Sequence, residues 1–206
     1  MSCQVGGVNV SRETFERLED FSALVSKWTQ KINLISPSTL PEIWERHVSD
    51  SAQLYRFSPD IVEKWVDIGS GGGFPGIVVA ILAKEKSPRT VFTLIESDQR
   101  KVTFLRTAAR ELGLNAHVLS DRIESATRQQ ANVVSARALT ALSSMMPLVQ
   151  RHLKSTGTAL LHKGKRYATE VADARDSWRF DLEEHRSLTD PEGRILAIRN
   201  LRCVGP

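Results

Sequence analysis

The stretch Val66-Asp67-Ile68-Gly69-Ser70-Gly71-Gly72-Gly73-Phe74-Pro75-Gly76 passes from an apolar segment through a glycine-rich run into the apolar residues Ile77 to Ala83. It predicts a strand, a tight turn and a helix. Glycine is needed in such a turn because its backbone angles exclude a Cβ, and because a ligand must lie directly on the main chain. Gly71, Gly73 and Gly76 satisfy the G-x-G-x-x-G spacing of a nucleotide-type loop. Charge bears on which ligand it takes. A dinucleotide presents an anionic pyrophosphate and favours free N–H groups at a helix N-terminus. S-adenosylmethionine presents an ammonium and a sulfonium, and favours carbonyls and a nearby carboxylate. Asp67 stands two residues before Gly69, and Pro75 removes one N–H from the helix start. Both features lean toward the sulfonium ligand.

On the C-terminal side of this loop, short apolar runs alternate with amphipathic stretches of helical length, the signature of βα units on a parallel sheet. Strands are expected near Trp65 to Ile68, Val91 to Ile95, His117 to Leu119, Val133 to Ser135 and Thr158 to His162. Helices are expected near Pro75 to Lys84, Asp98 to Leu112, Leu139 to Leu153 and Tyr167 to Trp178. Phe180 to Ser187 and Arg194 to Leu201 read as strands joined by the turn-forming Asp190, Pro191, Glu192 and Gly193, giving a terminal hairpin. Glu96 closes the second strand, placed for a bidentate bond to ribose hydroxyls, a role shared with dinucleotide folds. Asp121 and Arg122 follow the third strand, where a polar side chain or backbone group meets an adenine edge.

On the N-terminal side, Phe15, Leu18, Phe21, Val25, Trp28 and Ile32 recur every three or four residues, a helical spacing with Ser11 as N-cap. Pro41 suits the first turn of a second helix, with Ile43, Trp44, Val48, Ser51, Leu54 and Tyr55 on one face and Ser58 to Asp60 closing it. Phe15, Trp28 and Trp44 at this spacing read as core rather than as base-stacking platforms. The division expected is a helical extension over 1–60 and one compact unit over 61–206.

At 206 residues and 23.0 kDa the chain suits one domain with a small appendage. With 41% hydrophobic and 25% charged residues, disordered, collagenous and coiled-coil classes are excluded. The longest apolar run, Ile77 to Ala83, is far short of the roughly 20 residues that cross a bilayer, and Met1 to Val10 lacks the pattern of a leader. Cys3 and Cys203 lie at opposite ends without metal-ligand spacing, pointing to a reducing cytoplasm and away from zinc or cysteine catalysis. A net charge of +4 is compatible with a polyanionic partner without requiring one.

Several pieces together resemble the RsmG (GidB) family, the 16S rRNA guanine-527 N7-methyltransferases of the bacterial cytoplasm. They are Lys31-Ile32-Asn33-Leu34, Trp44-Glu45-Arg46-His47 with Asp50-Ser51, the loop Gly69 to Gly76, Glu96-Ser97 before Lys101, and Phe104-Leu105-Arg106. They continue as Asp121-Arg122-Ile123-Glu124, Ser135-Ala136-Arg137-Ala138 and Leu161-His162-Lys163-Gly164-Lys165. The resemblance implies a Rossmann-type class I methyltransferase, an α/β fold with a mostly parallel seven-stranded sheet, a terminal antiparallel hairpin and an N-terminal helical extension. It implies that Gly69, Ser70, Gly71, Phe74 and the backbone after Arg122 contact S-adenosylmethionine, with Glu96 on its ribose. Asp67, Gly73, Asp121, Ile123, Glu124 and Arg137 complete the candidate cofactor set. Arg137 and Lys163, with His47, are the candidate positioning residues on the RNA side. The sequence departs from the family at Gly72, where alanine or proline is common, and at Asp121, where glycine is common. Implied partners are 16S rRNA or the small ribosomal subunit, with no membrane and no metal, and a monomeric state.

Guanine N7 carries an in-plane lone pair and no proton, so it attacks a sulfonium methyl without a base, and the protein has mainly to position. Methylation at cytosine C5 needs a cysteine nucleophile, and neither Cys3 nor Cys203 lies in that half of the sheet. Exocyclic amines use an Asn-Pro-Pro-aromatic turn after the fourth strand, where this chain has Ser135 to Ala138. Arg137 is therefore the residue expected near the target nucleotide, its guanidinium on a phosphate or neighbouring base. Lys163, Lys165 and Arg166 form the densest positive group, either an RNA contact or a solvated cluster. His47, sharing a helical face with Arg46 and Asp50, serves either substrate or the attachment of the N-terminal arm. Two other readings stay open. One is a nicotinamide-dependent oxidoreductase on the same loop, disfavoured by Asp67, Pro75 and the lack of a Tyr-x-x-x-Lys pair. The other is a non-catalytic RNA-binding module of the same fold.

Overall fold

The computed structural model describes residues 3–137 and 139–204. Ala138, the last residue of the Ser135 to Ala138 motif, lies outside the described residues. A seven-stranded sheet carries the molecule. Its strands are β3 (Lys64–Ile68), β4 (Val91–Glu96), β5 (Ala116–Ser120), β6 (Ala131–Arg137), β7 (Leu153–Lys163), β8 (Trp178–Arg186) and β9 (Arg194–Cys203), in the order β5-β4-β3-β6-β7-β9-β8. The five strands from β5 to β7 are parallel, and β9 and β8 add antiparallel. Chain order reverses at β3, which has β4 on one side and β6 on the other, so a crevice opens at the carboxyl ends of β3 and β6. The glycine run sits there.

Five helices have intelligible causes in the sequence: α1 (Arg12–Thr29), α3 (Gly76–Lys86), α4 (Gln99–Glu111), α5 (Leu142–His152) and α6 (Tyr167–Arg175). α1 starts where expected, with Ser11 Oγ accepting from the Thr14 amide at 3.2 Å and Leu18, Phe21 and Val25 buried. α3 is buried on all sides from Gly76 to Ala83, as a helix must be when sheet and α1 cover it. The two meet at Ser11, whose amide donates to Glu85 Oε2 at 3.0 Å. Burial pushes the Glu85 carboxyl up, but hydrogen bonds from Thr14 and Ser11 prevail and hold it at about 2. Phe21 then packs against Phe74 (5.2 Å between ring centroids) and Trp28 against Phe104 (5.6 Å), as core side chains.

Four segments differ from the periodicity. Cys3–Val5 (β1) and Val8–Val10 (β2) form a hairpin that strands of three residues are too short to announce; Gly6 and Gly7, at φ +55° and +77°, turn it. The second helix of the arm is not one helix but a 3-10 turn at Pro37–Glu42, a π turn at Trp44–Ser49, the short α2 at Asp50–Ala52 and another 3-10 turn at Gln53–Phe57. The Asp50 amide reaches back to the Glu45 carbonyl, an i to i−5 bond that a 3.6-residue period cannot reveal. At the other end Leu153 belongs to β7 and Trp178 to β8 rather than to the preceding helices; both are buried against the sheet cluster, which decides short boundary segments over local pattern.

Among the described residues no helix is long and apolar enough to cross a membrane. Gly76 closes the loop under tight packing, since a Cβ there would come within 2.5 Å of Leu94 Cδ2 and 2.7 Å of Asp67 Oδ2. Gly76→Ala should therefore cost about 1–3 kcal/mol of stability by overpacking, measured as a lower urea midpoint at unchanged slope; an unchanged midpoint would show that the helix start shifts freely.

Candidate functional site

The loop's own hydrogen bonds say what it can hold. The amides of Gly69 and Ser70 both donate to the Ile95 carbonyl (2.9 and 3.1 Å), the Gly71 amide to Glu96 Oε2 (2.9 Å) and the Gly73 amide to the Ser70 carbonyl (2.7 Å). These N–H groups are consumed within the chain, and Pro75, at the N-cap of α3, has none to offer. The loop is thus no cradle for a pyrophosphate, which requires free amides at a helix start. This is the physical case against the nicotinamide reading.

The loop borders a cleft of about 690 Å³, within the roughly 300–1,000 Å³ of small-molecule sites. Gly69, Ser70, Gly71 and Phe74 line one wall and Glu96 the end of β4. Asp121, Arg122, Ile123 and Glu124 line the wall after β5, and Arg137 with Leu139 closes the far end. The Glu96 carboxylate is fixed in place, Oε1 accepting from the Ser97 and Asp98 amides (2.7 and 2.8 Å) and Oε2 from Gly71. The Asp121 side chain accepts from the next amide, that of Arg122, at 2.8 Å, so it shapes the turn.

Two members of the expected cofactor set do not face the cleft. Asp67 is fully buried beneath the loop, where Trp65 Nε1 donates to Ser135 Oγ (2.9 Å) and Ser135 Oγ to Asp67 Oδ1 (2.6 Å). Burial pushes this carboxyl up to about 6 against the opposing hydrogen bonds. Gly73 turns inward, at φ +85°, where a Cβ would meet Ile77 and Phe21. Conversely Gly72, common as alanine or proline in the resembled family, borders the cleft here, with no room for a Cβ because the Leu34 carbonyl oxygen would lie 2.8 Å away.

Arg137 and His47 come together. Arg137 NH2 donates to His47 Nδ1 at 2.8 Å, and NH1 donates to the Arg46 carbonyl and to Asp50 Oδ2, each at 3.1 Å. The guanidinium also lies 5.3 Å from the centre of the Phe74 ring. A guanidinium only donates, so His47 Nδ1 must accept, and Nε2–H then donates to Thr39 Oγ1 at 2.8 Å, which donates on to the Ser36 carbonyl. Burial first, and Arg137 second, lower His47 to about 4, in agreement with a neutral ring. Asp50 receives Gln53 and Thr189 on Oδ1 (2.9 and 2.8 Å). Burial would raise its carboxyl, but Arg137 and the hydrogen bonds from Thr189 and Arg137 hold it low; burial lowers the neighbouring His162, whose ring stays neutral. His47 is therefore part of the attachment of the arm, in the alternative that its helical face left open.

Lys163 is not free for RNA. Only 8% exposed, it donates to the Thr140 carbonyl (2.6 Å) and Glu170 Oε2 (2.8 Å), while Lys165 and Arg166 are exposed. Spacing could not show this, because Glu170 lies on the next helix. Sequence reasoning also missed His152 and Arg151 at the end of α5. They donate to the Ile123 and Ala126 carbonyls (2.8 and 3.0 Å) and so hold the 121–126 turn against the cleft.

A family described as "rRNA small subunit methyltransferase G" matches residues 14–199. The proteins called Ribosomal RNA small subunit methyltransferase G from Cereibacter sphaeroides and Ruegeria pomeroyi are 53% and 50% identical to this chain, each alignment covering 96% of both chains. Among solved structures, the fold is similar to M. jannaschii TYW2 in complex with AdoMet (14% identity, TM-score 0.59, 85% of this chain and 80% of that one). It is also similar to a SAM-dependent methyltransferase from Aquifex aeolicus (14% identity, TM-score 0.58, 86% and 97%).

Below neutrality two groups act in opposite senses. His47 stays neutral down to about 4 while the unfolded chain takes a proton at about 6.5, so stability falls as pH drops through that window. Asp67 holds a proton below about 6 that the unfolded chain keeps only below 3.8, so its contribution rises as pH drops. His47→Asn keeps an acceptor for Arg137 and does not titrate. It should gain on the wild type by on the order of 1–2 kcal/mol between pH 6.5 and 4, after screening of a partly exposed ring. Urea midpoints across that range check this, and parallel curves would mean that His47 is not held neutral. Matched by the family over residues 14–199 and about half identical to such relatives over nearly its whole length, the chain belongs to the RsmG (GidB) family of rRNA small subunit methyltransferases.

Proposed function

We propose that this protein uses S-adenosylmethionine to methylate N7 of guanine 527 in 16S ribosomal RNA, as a monomer in the bacterial cytoplasm. The observation that carries the reading is the glycine loop whose amides are spent internally while a fixed carboxylate, Glu96, stands at the cleft end of β4. Such a site offers a cation carbonyl oxygens and a negative charge, and offers a phosphate little. The residues present therefore fit the cofactor. Glu96 would take its ribose, with one acceptor site open and the Gly71 bond exchangeable for a second hydroxyl. Gly69 to Gly71 would lie along the methionine part, and the turn from Asp121 to Glu124 would border the adenine.

When bound, the sulfonium supplies an electrophilic methyl, the N7–carbon bond forming as the carbon–sulfur bond breaks with its electron pair left on sulfur. What the chain itself does is position. Arg137 has three of its five N–H donors engaged by the arm, which leaves the others for an RNA phosphate or neighbouring base. The half-buried Asp50 and the neutral His47 fix its plane, so the donors point in one direction before RNA arrives. Holding two reactants in line is worth several kcal/mol of barrier, up to roughly 7–11 in ideal cases.

Incubation with labelled S-adenosylmethionine should methylate small-subunit rRNA from cells lacking this protein, and nucleoside mapping should place the label as 7-methylguanosine at position 527. Label on another atom, or none, would overturn the reading. Arg137→Lys keeps a charge beside Asp50, so the carboxylate is not stranded, but cannot span His47, Arg46 and Asp50 together. It should lower kcat about tenfold or more with S-adenosylhomocysteine affinity within about twofold by calorimetry. A parallel loss of affinity would place Arg137 on the cofactor instead.

A further inference from the structure

Behind Arg137 lies a second cavity, of about 460 Å³, that shares Arg137, Leu139 and Thr140 with the cofactor cleft. It adjoins the carboxyl ends of β6 and β7 and is bordered by His162, Glu170 and Arg194. Two acceptors here lack donors. His162 has a side chain 9% exposed; its Nε2–H donates to the Asp50 carbonyl at 2.8 Å, which leaves Nδ1 of the neutral ring as a buried lone pair without a partner among the described residues. Glu170 accepts from the Leu142 amide (2.9 Å) and Lys163 (2.8 Å), both on Oε2, and its Oε1 takes no hydrogen bond among the described residues. A buried acceptor without a donor is costly, so His162 Nδ1 marks a place for a ligand's N–H group, and Glu170 Oε1, half-buried and open to solvent, offers a second acceptor beside it.

We infer that this second cavity receives the target guanine, turned out of the RNA, with its N1–H and N2–H₂ edge on Glu170 Oε1 and His162 Nδ1. The inference rests on the methyltransferase reading above and deepens it. Enzymes that act on one base take it out of the stack and read its Watson–Crick edge in a pocket. Guanine presents two adjacent N–H donors on that edge, whereas adenine presents a lone pair at N1, so a pair of acceptors selects guanine and leaves adenine facing unpaired groups. The arrangement also leaves N7, on the opposite side of the base, free toward the shared border with the cofactor cleft.

The carboxylate has a second consequence. As N7 takes the methyl, the ring becomes cationic and its N1–H more acidic, so an anion on that edge binds the transition state more tightly than the ground state. Lys163, from this viewpoint, is a positioning residue: together with the Leu142 amide it occupies Oε2 and presents Oε1 to the base. The family pattern around Lys163 contributes to the site through Glu170 rather than by touching RNA.

The test pairs two variants with one altered substrate. Glu170→Gln retains an oxygen for Lys163 and Leu142 and turns the remaining atom into a donor. His162→Gln retains an N–H for the Asp50 carbonyl and exchanges the fixed Nδ1 lone pair for an amide oxygen displaced from that position. The RNA is small-subunit rRNA carrying guanosine or inosine at the target position, inosine lacking only the N2 amine. Wild type should prefer guanosine by about tenfold or more in kcat/KM, and Glu170→Gln should lose about tenfold or more in kcat with S-adenosylhomocysteine affinity unchanged. In the variants the preference for guanosine should shrink to about twofold, a change that loss of fold alone does not produce. A wild type that discriminates while both variants keep its full preference would overturn the pocket and leave the methyltransferase reading intact. A wild type that methylates neither RNA would overturn both.

Discussion

The guanidinium of Arg137 lies against the Phe74 ring and is held by Asp50, His47 and the Arg46 carbonyl. One side chain thereby joins three parts of the molecule: the end of β6, the glycine loop and the N-terminal arm. Each partner is itself constrained. Asp50 is bound by Gln53 and Thr189, His47 by Thr39, and Phe74 by Phe21 of α1. A largely enclosed cation depends on such partners, so the arm cannot leave without stranding charge beside the cleft. The arm is a structural part of the site.

The π turn explains how the arm supplies these groups. In an uninterrupted α-helix the Arg46 carbonyl would be spent on the amide four residues on. The wider turn from Trp44 to Ser49 sends the Asp50 amide back to Glu45 instead, and the Arg46 carbonyl accepts from Arg137. Irregular turns of this kind concentrate at functional sites for this reason. The glycine loop shows the complementary economy, with amides turned inward on Ile95, Glu96 and Ser70 so that what faces the cleft is carbonyl and carboxylate.

Charges near the junction follow one rule, that burial demands a partner. Asp67, lifted to about 6 by burial, takes Ser135, while Lys163 takes Glu170 and the Thr140 carbonyl. Both residues carry the family resemblance, and both are spent on partners within the chain. Motif membership alone did not distinguish a side chain that borders the cleft, such as Glu96, from one paired beneath it, such as Asp67.

What the chain shows without its fold follows from local physics. Glycine spacing, the apolar runs of β3, β4 and β6, the Ser11 cap and the three-and-four spacing of α1 are properties of neighbouring residues, so the α/β class, the loop and the position of Glu96 were legible. The Gly6-Gly7 hairpin and the π turn were not, the first for want of length and the second because its hydrogen bonds break the helical period. Only the tertiary structure decided which charged side chains are spent on one another. The partners Arg137 and Asp50, Lys163 and Glu170, or Asp67 and Ser135 lie on different elements, and whether a charge is buried and paired depends on distances through space that spacing along the chain does not encode.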